Sequence, residues 1–176
     1  YFPYPIMFPQ DVADRIAAWV AKGGRLIAEA CPGYFGDRGH VGTRQPNLGL
    51  DAVFGAVEDE VEFMPDIGDR IGFIFDGLDV QGGGFLQSYR LAGGTERGRF
   101  RDKRLAVVEH GHGDGRTLLV GTHPFVSIPT NAKRDEAFAG LRPIEFSATC
   151  RKKKPSLVAG LKKNPGFQLR PLRPAW

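Results

Sequence analysis

The stretch from Gly23 to Asp37 constrains the fold most, because it passes from a helix end through a strand into a loop. Before it, four apolar residues fall on one face of a helix that Pro9 can open: Val12, Ile16, Trp19 and Val20. The glycines at its start can end that helix in a left-handed conformation. The apolar run Leu26–Ala30 then predicts a buried strand. Loops at the carboxyl end of such strands often carry a ligand or a nucleophile, which directs attention to Cys31.

The middle of the chain is typical of β-hairpins. A short helix is predicted over Leu48–Phe54, ended by Gly55. Short β-branched and aromatic runs then recur between glycine-rich turns. They are Val57–Met64, Ile71–Phe75, Phe85–Leu91, Arg97–Arg101, Leu105–His110 and Thr117–Gly121. A closing helix is predicted over Lys133–Leu141. These elements favour an α/β fold with a hairpin-rich second half.

Composition narrows the class of protein. Of the 176 residues, 41% are apolar and 25% charged, which is typical of a folded domain. Because the sequence has no apolar run near the length of a membrane helix, we expect no membrane partner. Two cysteines are too few for a disulfide framework, so a cytoplasmic location is expected. The start lacks Met and enters directly into a strand-like segment, so we expect an N-terminally truncated domain.

Charge is distributed unevenly along the chain. Residues 1–130 hold 13 Lys/Arg against 17 Asp/Glu, whereas residues 131–176 hold 11 against 3. We therefore predict a domain over residues 1–141 and a basic, Pro/Lys/Arg-rich, poorly ordered tail over 142–176. The basic run Arg151–Lys154 could attract nucleic acid electrostatically, but aromatic side chains do not interleave with it, so we do not expect a nucleic-acid partner. The tail composition also fits translation in a shifted reading frame.

Three groups of residues outside the helix–strand–loop stretch suggest chemistry, and each has a structural alternative. His110 and His112 would share a face of a continuing strand and are candidate metal ligands, although Gly111 and Gly113 suggest a turn and two ligands do not complete a site. Three acids alternate on one strand face and favour a solvated sheet edge: Glu58, Glu60 and Glu62. The glycine runs at 82–84 and 113–115 lack the Lys-Ser/Thr of a phosphate loop and predict turns. No cofactor is expected.

Several segments resemble the trimerisation domain of bacterial beta-galactosidases of glycoside hydrolase family forty-two. They are Ala18–Ala28, Cys31–Asp37, Leu48–Ala56, Glu58–Phe63 and Gly113–Pro124, in this order. The resemblance covers Tyr1 to about Pro124. It implies a class I glutamine amidotransferase-like, flavodoxin-like open sheet without catalysis. It also implies a homotrimeric parent whose catalytic barrel, with two glutamates, precedes Tyr1.

The same resemblance makes Cys31 and His123 the candidate catalytic residues of an alternative function, a small cysteine-dependent hydrolase. Class I amidotransferases place their cysteine in a Gly-x-Cys-x-Gly elbow. Here Glu29 replaces the first glycine, and Pro32 lacks the backbone N–H that would stabilise an oxyanion. His123 lies in a Thr-His-Pro segment, but Phe125 replaces the glutamate that would orient the imidazole. We therefore favour an assembly function over catalysis.

Overall fold

The computed structural model describes residues 1–66 and 69–124. Two α-helices lie in this part of the chain, α1 (Gln10–Ala21) and α2 (Leu50–Phe54), with a short 3-10 turn at Asp37–Gly39. Eight strands accompany them within the same residues. They are β1 (Arg25–Ala28), β2 (Ala56–Phe63), β3 (Ile71–Phe75), β4 (Leu78–Gly82), β5 (Phe85–Leu91), β6 (Thr95–Phe100), β7 (Leu105–His112) and β8 (Gly115–Val120).

Six of these strands form one mixed sheet in the order β1-β8-β7-β6-β3-β4. β1 and β8 are parallel, with Leu26 opposite Thr117, and the other neighbours are antiparallel. β3 and β4 are joined by Asp76 and Gly77, both at positive φ, as in a tight hairpin turn. A parallel pair therefore sits at one end of a sheet that otherwise consists of hairpins.

The remaining strands, β2 and β5, form a two-stranded antiparallel sheet with a bulge between Glu58 and Glu60. This ribbon is tied to the larger sheet just beyond β8, where the Gln87 N–H donates to the Gly121 carbonyl at 2.7 Å. β5 consequently lies beside the carboxyl end of the parallel pair. That position brings its side chains to the loop that follows β1.

The apolar core lies where the two helices cover the parallel end of the sheet. It includes Val20 of α1, Leu50 and Phe54 of α2, Val108 of β7 and Leu119 of β8, all at most 1% exposed. Burial of this apolar area from water is the main force that holds helices on a sheet face.

One prediction about α1 is wrong. Trp19 was expected on the buried face, but its side chain is 52% exposed and lies across the backbone of Gly24. Val20 is buried as predicted, and Val12 and Ile16 pack against the core, but Ala13 and Ala17 take the place expected for Trp19. Small alanine side chains let the helix approach the sheet closely, which displaces the bulky indole to the side.

The sequence-based element boundaries hold to within a few residues for most strands. The predictions for Ile71–Phe75 and Phe85–Leu91 match β3 and β5 residue for residue. β4 was not predicted, because Leu78–Gly82 is short, polar and on the sheet edge. The described residues form a mostly stranded, open sheet with few helices, and the finer flavodoxin-like assignment stays a prediction. The predicted closing helix and the basic tail lie outside the described residues.

Candidate functional site

The candidate site lies at the carboxyl end of the parallel pair. Glu29 and Cys31 follow β1, and His123 follows β8, so the parallel register brings both loop starts to one edge of the sheet. All three side chains are at most 2% exposed. Burial of an acid and a histidine is costly unless each has partners, so their contacts decide what the site can do.

Glu29 is the hydrogen-bond centre of the site. His123 Nδ1 lies 3.1 Å from its Oε2, and because an ionised carboxylate only accepts, the ring nitrogen is the donor. The Tyr4 backbone N–H also donates to Oε2 at 2.8 Å, and the Tyr1 hydroxyl donates to Oε1. An acidic residue does orient the His123 imidazole, contrary to the sequence-based expectation. It comes from the glycine position of the elbow rather than from position 125.

Aromatic rings enclose the His123 imidazole. Its centroid lies 4.6 Å from that of Tyr4 and 5.6 Å from that of Phe85, the latter edge-on. Its second ring nitrogen, Nε2, is buried and has no hydrogen-bond partner within residues 1–66 and 69–124. The imidazole is thus packed as a core side chain, with one polar contact, to Glu29.

These contacts shift the pKa of Glu29 downward. Burial alone would raise it, but the hydrogen bonds from His123, Tyr1 and Tyr4 favour the charged form and outweigh burial. Because the pKa of Glu29 is lower in the folded than in the unfolded state, the folded protein binds fewer protons than the unfolded chain at pH values between the two pKa values. Glu29 therefore adds stability at neutral pH, and this contribution is lost as the pH falls through the folded-state pKa.

We expect Glu29→Gln to lower the free energy of unfolding by about 2 kcal/mol at pH 7, because a neutral amide replaces the acceptor of three hydrogen bonds. The difference from the unchanged protein should shrink as the pH falls through the lowered pKa of folded Glu29, below which both chains carry a neutral group. Urea unfolding followed by circular dichroism at several pH values measures it. Glu96→Gln, which removes an exposed partner of Arg99, is the matched control and should show a small difference throughout. A Glu29→Gln effect independent of pH would contradict this assignment.

Cys31 has the backbone conformation of the nucleophile in an elbow, but its thiol is not activated for nucleophilic attack. Its φ of +61° lies in the left-handed region, which non-glycine residues rarely adopt. The side chain is 2% exposed, and burial together with the nearby charge of Glu58 raises the pKa of the thiol to about 12. Because the thiolate is the reactive form, this environment suppresses nucleophilic attack at neutral pH.

A glutamine side chain satisfies the backbone of Cys31. The Cys31 N–H donates to Gln87 Oε1 at 2.7 Å, and the buried Tyr89 hydroxyl donates to the same oxygen at 2.7 Å. Gln87 Nε2 donates in turn to Glu58 Oε2 at 2.6 Å. Gln87 is fully buried, so its amide fills the space beside Cys31 and accepts the hydrogen bonds that the donors there can make. Sequence reasoning missed this residue, since nothing in the local pattern of β5 marks it.

We expect Cys31 to react with a small disulfide reagent on the order of a hundredfold more slowly than a free thiol at pH 8, because burial and the raised pKa both oppose it. A Cys150→Ser background isolates the signal of Cys31. Denaturant should restore the rate of a free thiol and so confirm that the fold causes the protection. Rapid stoichiometric labelling at pH 6 would contradict the expectation and favour the hydrolase alternative.

The other candidates have structural roles. β7 continues through His112, so the turn expected from Gly111 begins only at Gly113, which is at positive φ. His110 packs over Gly55 and Gly93. Among residues 1–66 and 69–124, no cluster of three or more metal-ligating side chains exists that could hold an ion.

The acidic strand is only partly a solvated edge. The bulge in β2 separates Glu58, which bonds to Gln87, from Glu60 and Glu62, which are exposed and both pair with Arg104. The glycine run at 82–84 forms the join between β4 and β5, and the Gly83 carbonyl accepts from the His123 N–H at 3.2 Å. It is a turn, as predicted.

Neither α1 nor α2, the two α-helices of the described residues, has the length and apolar character that a membrane span requires.

Residues 2–136 match the family described as the beta-galactosidase trimerisation domain. This match spans most of the chain. The chain belongs to the beta-galactosidase trimerisation domain family. The structural resemblance inferred from the five sequence segments is thereby confirmed at the level of the family, although no curated protein sequence matches the chain.

Solved structures agree with the family on the fold. A cold-adapted beta-galactosidase from Rahnella sp. R3 superposes with a TM-score of 0.63 at 21% identity, over 79% of this chain and 21% of that one. A catalytic mutant of a family forty-two beta-galactosidase from G. stearothermophilus gives 0.62 at 19% identity, over 79% and 20%. A beta-galactosidase from the haloarchaeon Halorubrum lacusprofundi gives 0.63 at 21%, over 79% and 21%. The chain thus spans about a fifth of the length of these relatives.

Proposed function

We propose that this chain is the assembly domain of a glycoside hydrolase related to bacterial beta-galactosidases, and that it joins three copies of a cytoplasmic parent enzyme. The observation that carries the proposal is the family match over residues 2–136, a family named for trimerisation. The similar solved chains are beta-galactosidases of which the matched part is only about a fifth, which leaves room for a catalytic barrel in the parent.

The geometry of the elbow supports a non-catalytic role for the domain. Cys31 is buried with a raised pKa, and its N–H is already bonded to Gln87. Pro32 offers no N–H for an oxyanion, and loss of one such donor costs about 3 kcal/mol of transition-state stabilisation. The hydrolase alternative with Cys31 and His123 therefore lacks an activated nucleophile.

The same elbow supports the finer proposal of amidotransferase-like ancestry. A cysteine at positive φ directly follows a parallel strand at β1 and Cys31, as in a nucleophile elbow, although a loop rather than a helix comes next. His123 follows the neighbouring parallel strand. We propose that the domain keeps this arrangement as a scaffold, extended by the antiparallel strands β3–β7, and that residues 142–176 form a tail outside it.

The proposal is tested on the coding DNA and then on the full protein. We expect an in-frame barrel with two catalytic glutamates upstream of Tyr1, and a native mass of three chains for the full product by light scattering. Deletion of residues 2–136 from that product should reduce the mass to one chain. A trimer that survives the deletion would contradict an assembly role.

Catalytic silence of the domain is tested on the same product. Cys31→Ala should leave glycoside hydrolysis and the trimer unchanged, since Cys31 has no role in either under this proposal. Loss of any measured hydrolysis in Cys31→Ala would favour the cysteine-dependent alternative. Upstream DNA without a barrel would contradict the parent proposed here.

A further inference from the structure

Residues 1–8, which we call the strap, lie along the free edge of β1. Phe2 forms a parallel bridge with Ala28, its N–H donating to the Ile27 carbonyl at 2.8 Å. The Phe2 carbonyl accepts from the Glu29 N–H at 3.4 Å. The strap thus covers backbone groups of the sheet edge that β8 does not reach.

The strap then follows the loop that carries Cys31. The Gly33 N–H donates to the Pro5 carbonyl at 2.7 Å, and the Phe35 N–H donates to the Ile6 carbonyl at 3.0 Å. The Phe8 N–H donates to the Phe35 carbonyl at 3.3 Å, and the Phe8 side chain is buried in the core. The loop after Cys31 is therefore held between the sheet and the strap.

Apolar burial holds only part of the strap. Phe8 is buried in the core and Phe2 packs against it, whereas Tyr1 and Tyr4 are each 57% exposed and Met7 is 65% exposed. Two prolines reduce the number of backbone donors. Tyr4 also has a φ of +47°, a conformation that is unfavourable for a residue with a side chain.

Glu29 and His123 compensate for this weak attachment. The Glu29 carboxylate accepts both the Tyr1 hydroxyl and the Tyr4 N–H, and so fixes the residue with the unfavourable φ. His123 donates to the same carboxylate, and its ring lies against the Tyr4 ring, tilted by 40° with the centroids 4.6 Å apart. Hydrogen bonds to a buried charge are stronger than neutral ones, so this couple strengthens the attachment that the backbone bonds and Phe8 begin.

We propose that the buried Glu29–His123 couple is a latch that holds the strap closed over the Cys31 loop, and that its loss frees the strap while the sheet stays folded. The Glu29–His123 pair beside the Cys31 loop would then hold a conformation instead of taking part in catalysis. This inference does not depend on the assembly role, because the strap is followed by local exchange and the assembly by native mass.

Amide hydrogen exchange on the full chain tests the latch. In Glu29→Gln we expect the amides of Phe2, Gly33 and Phe35 to exchange about tenfold faster, because the charged acceptor is lost. The amide of Gly121, which bonds to the Ala106 carbonyl inside the sheet, exchanges by global unfolding, so it should stay at least about tenfold slower than the strap amides and depend much more steeply on urea. In a Cys150→Ser background, labelling of Cys31 should accelerate about tenfold as well. Glu96→Gln is the control and should change neither rate.

Tyr1→Phe provides a second, milder variant whose side chain is exposed and whose folding is not in question. It removes one of the three donors to Glu29, so we expect about threefold faster exchange at Phe2, with the Gly121 amide still at least about tenfold slower. Strap amides that exchange at the rate of Gly121 and with the same urea dependence would overturn the latch, since they would then open only when the whole domain unfolds. Unchanged exchange in both variants would overturn it too.

Discussion

Gly115→Ala is expected to destabilise the domain by about 3 kcal/mol, a large fraction of the stability of a small fold. A Cβ at position 115 would lie 1.9 Å from the Val20 carbonyl oxygen and 2.4 Å from that of Gly24. Both contacts are backbone atoms, which cannot rotate away as a side chain could. The methyl group must therefore push the end of α1 off the start of β8.

The surrounding hydrogen bonds explain why the approach is so close. The Asp114 N–H donates to the Ala21 carbonyl and the Arg116 N–H donates to the Gly24 carbonyl, each at 3.0 Å. The Asp114 N–H thus satisfies a carbonyl at the end of α1 that the helix itself leaves unpaired, and the Arg116 bond fixes the residue before β1. Moving the helix away breaks the Asp114 bond in addition to the core contacts of Val20.

Thermal and urea unfolding of Gly115→Ala measure the effect, with Gly111→Ala as the matched control. Gly111 lies in β7, opposite Arg116, and a Cβ there meets nothing within 4 Å. We expect its free energy of unfolding to change by less than about 0.5 kcal/mol. Equal stability of the two variants would mean that α1 does not approach β8 as closely as described.

The sequence predicts the elements near α1 well because local signals agree there. Gly23 ends the helix at positive φ, and an apolar run follows at once as β1. The hairpins are also visible, since turn glycines separate β-branched runs. Periodicity alone could not predict that Trp19 is exposed. The buried face of α1 depends on how closely Ala13 and Ala17 let the helix approach the sheet.

The candidate site was only half predictable for a similar reason. Cys31 and His123 follow apolar runs that the sequence identifies as strands, so their common edge could be anticipated. Glu29 was recognised only as a departure from the elbow pattern, although it pairs with a histidine 94 positions away. Such long-range pairs depend on strand order, which local patterns do not encode.

Gln87 is the clearest residue that sequence reasoning could not find. It lies in a strand whose range was predicted correctly, and a glutamine there suggests an exposed position. The side chain is instead fully buried, because β5 passes beside the end of β1 and β8. Its partners come from the Cys31 loop, β2 and β5 itself, so only the assembled fold reveals its role.

Gln87→Leu is accordingly expected to lower the free energy of unfolding by about 4 kcal/mol. Leucine has a similar volume, so the loss comes from polar groups left without partners rather than from a cavity. The Cys31 N–H and the Tyr89 hydroxyl, both buried, each lose their acceptor, and Glu58 loses a donor. A buried donor without an acceptor costs about 1–3 kcal/mol.

Gln81→Leu is the matched control, because Gln81 is exposed on the edge strand β4. We expect its stability to stay within about 0.5 kcal/mol of the unchanged protein. Urea unfolding of both variants, with Cys31 labelling as a local probe, separates the two sites. If Gln87→Leu unfolds at the same urea concentration as Gln81→Leu, the elbow does not depend on the glutamine amide. If it is destabilised as expected, the amide that fills the elbow is also what keeps this part of the domain folded.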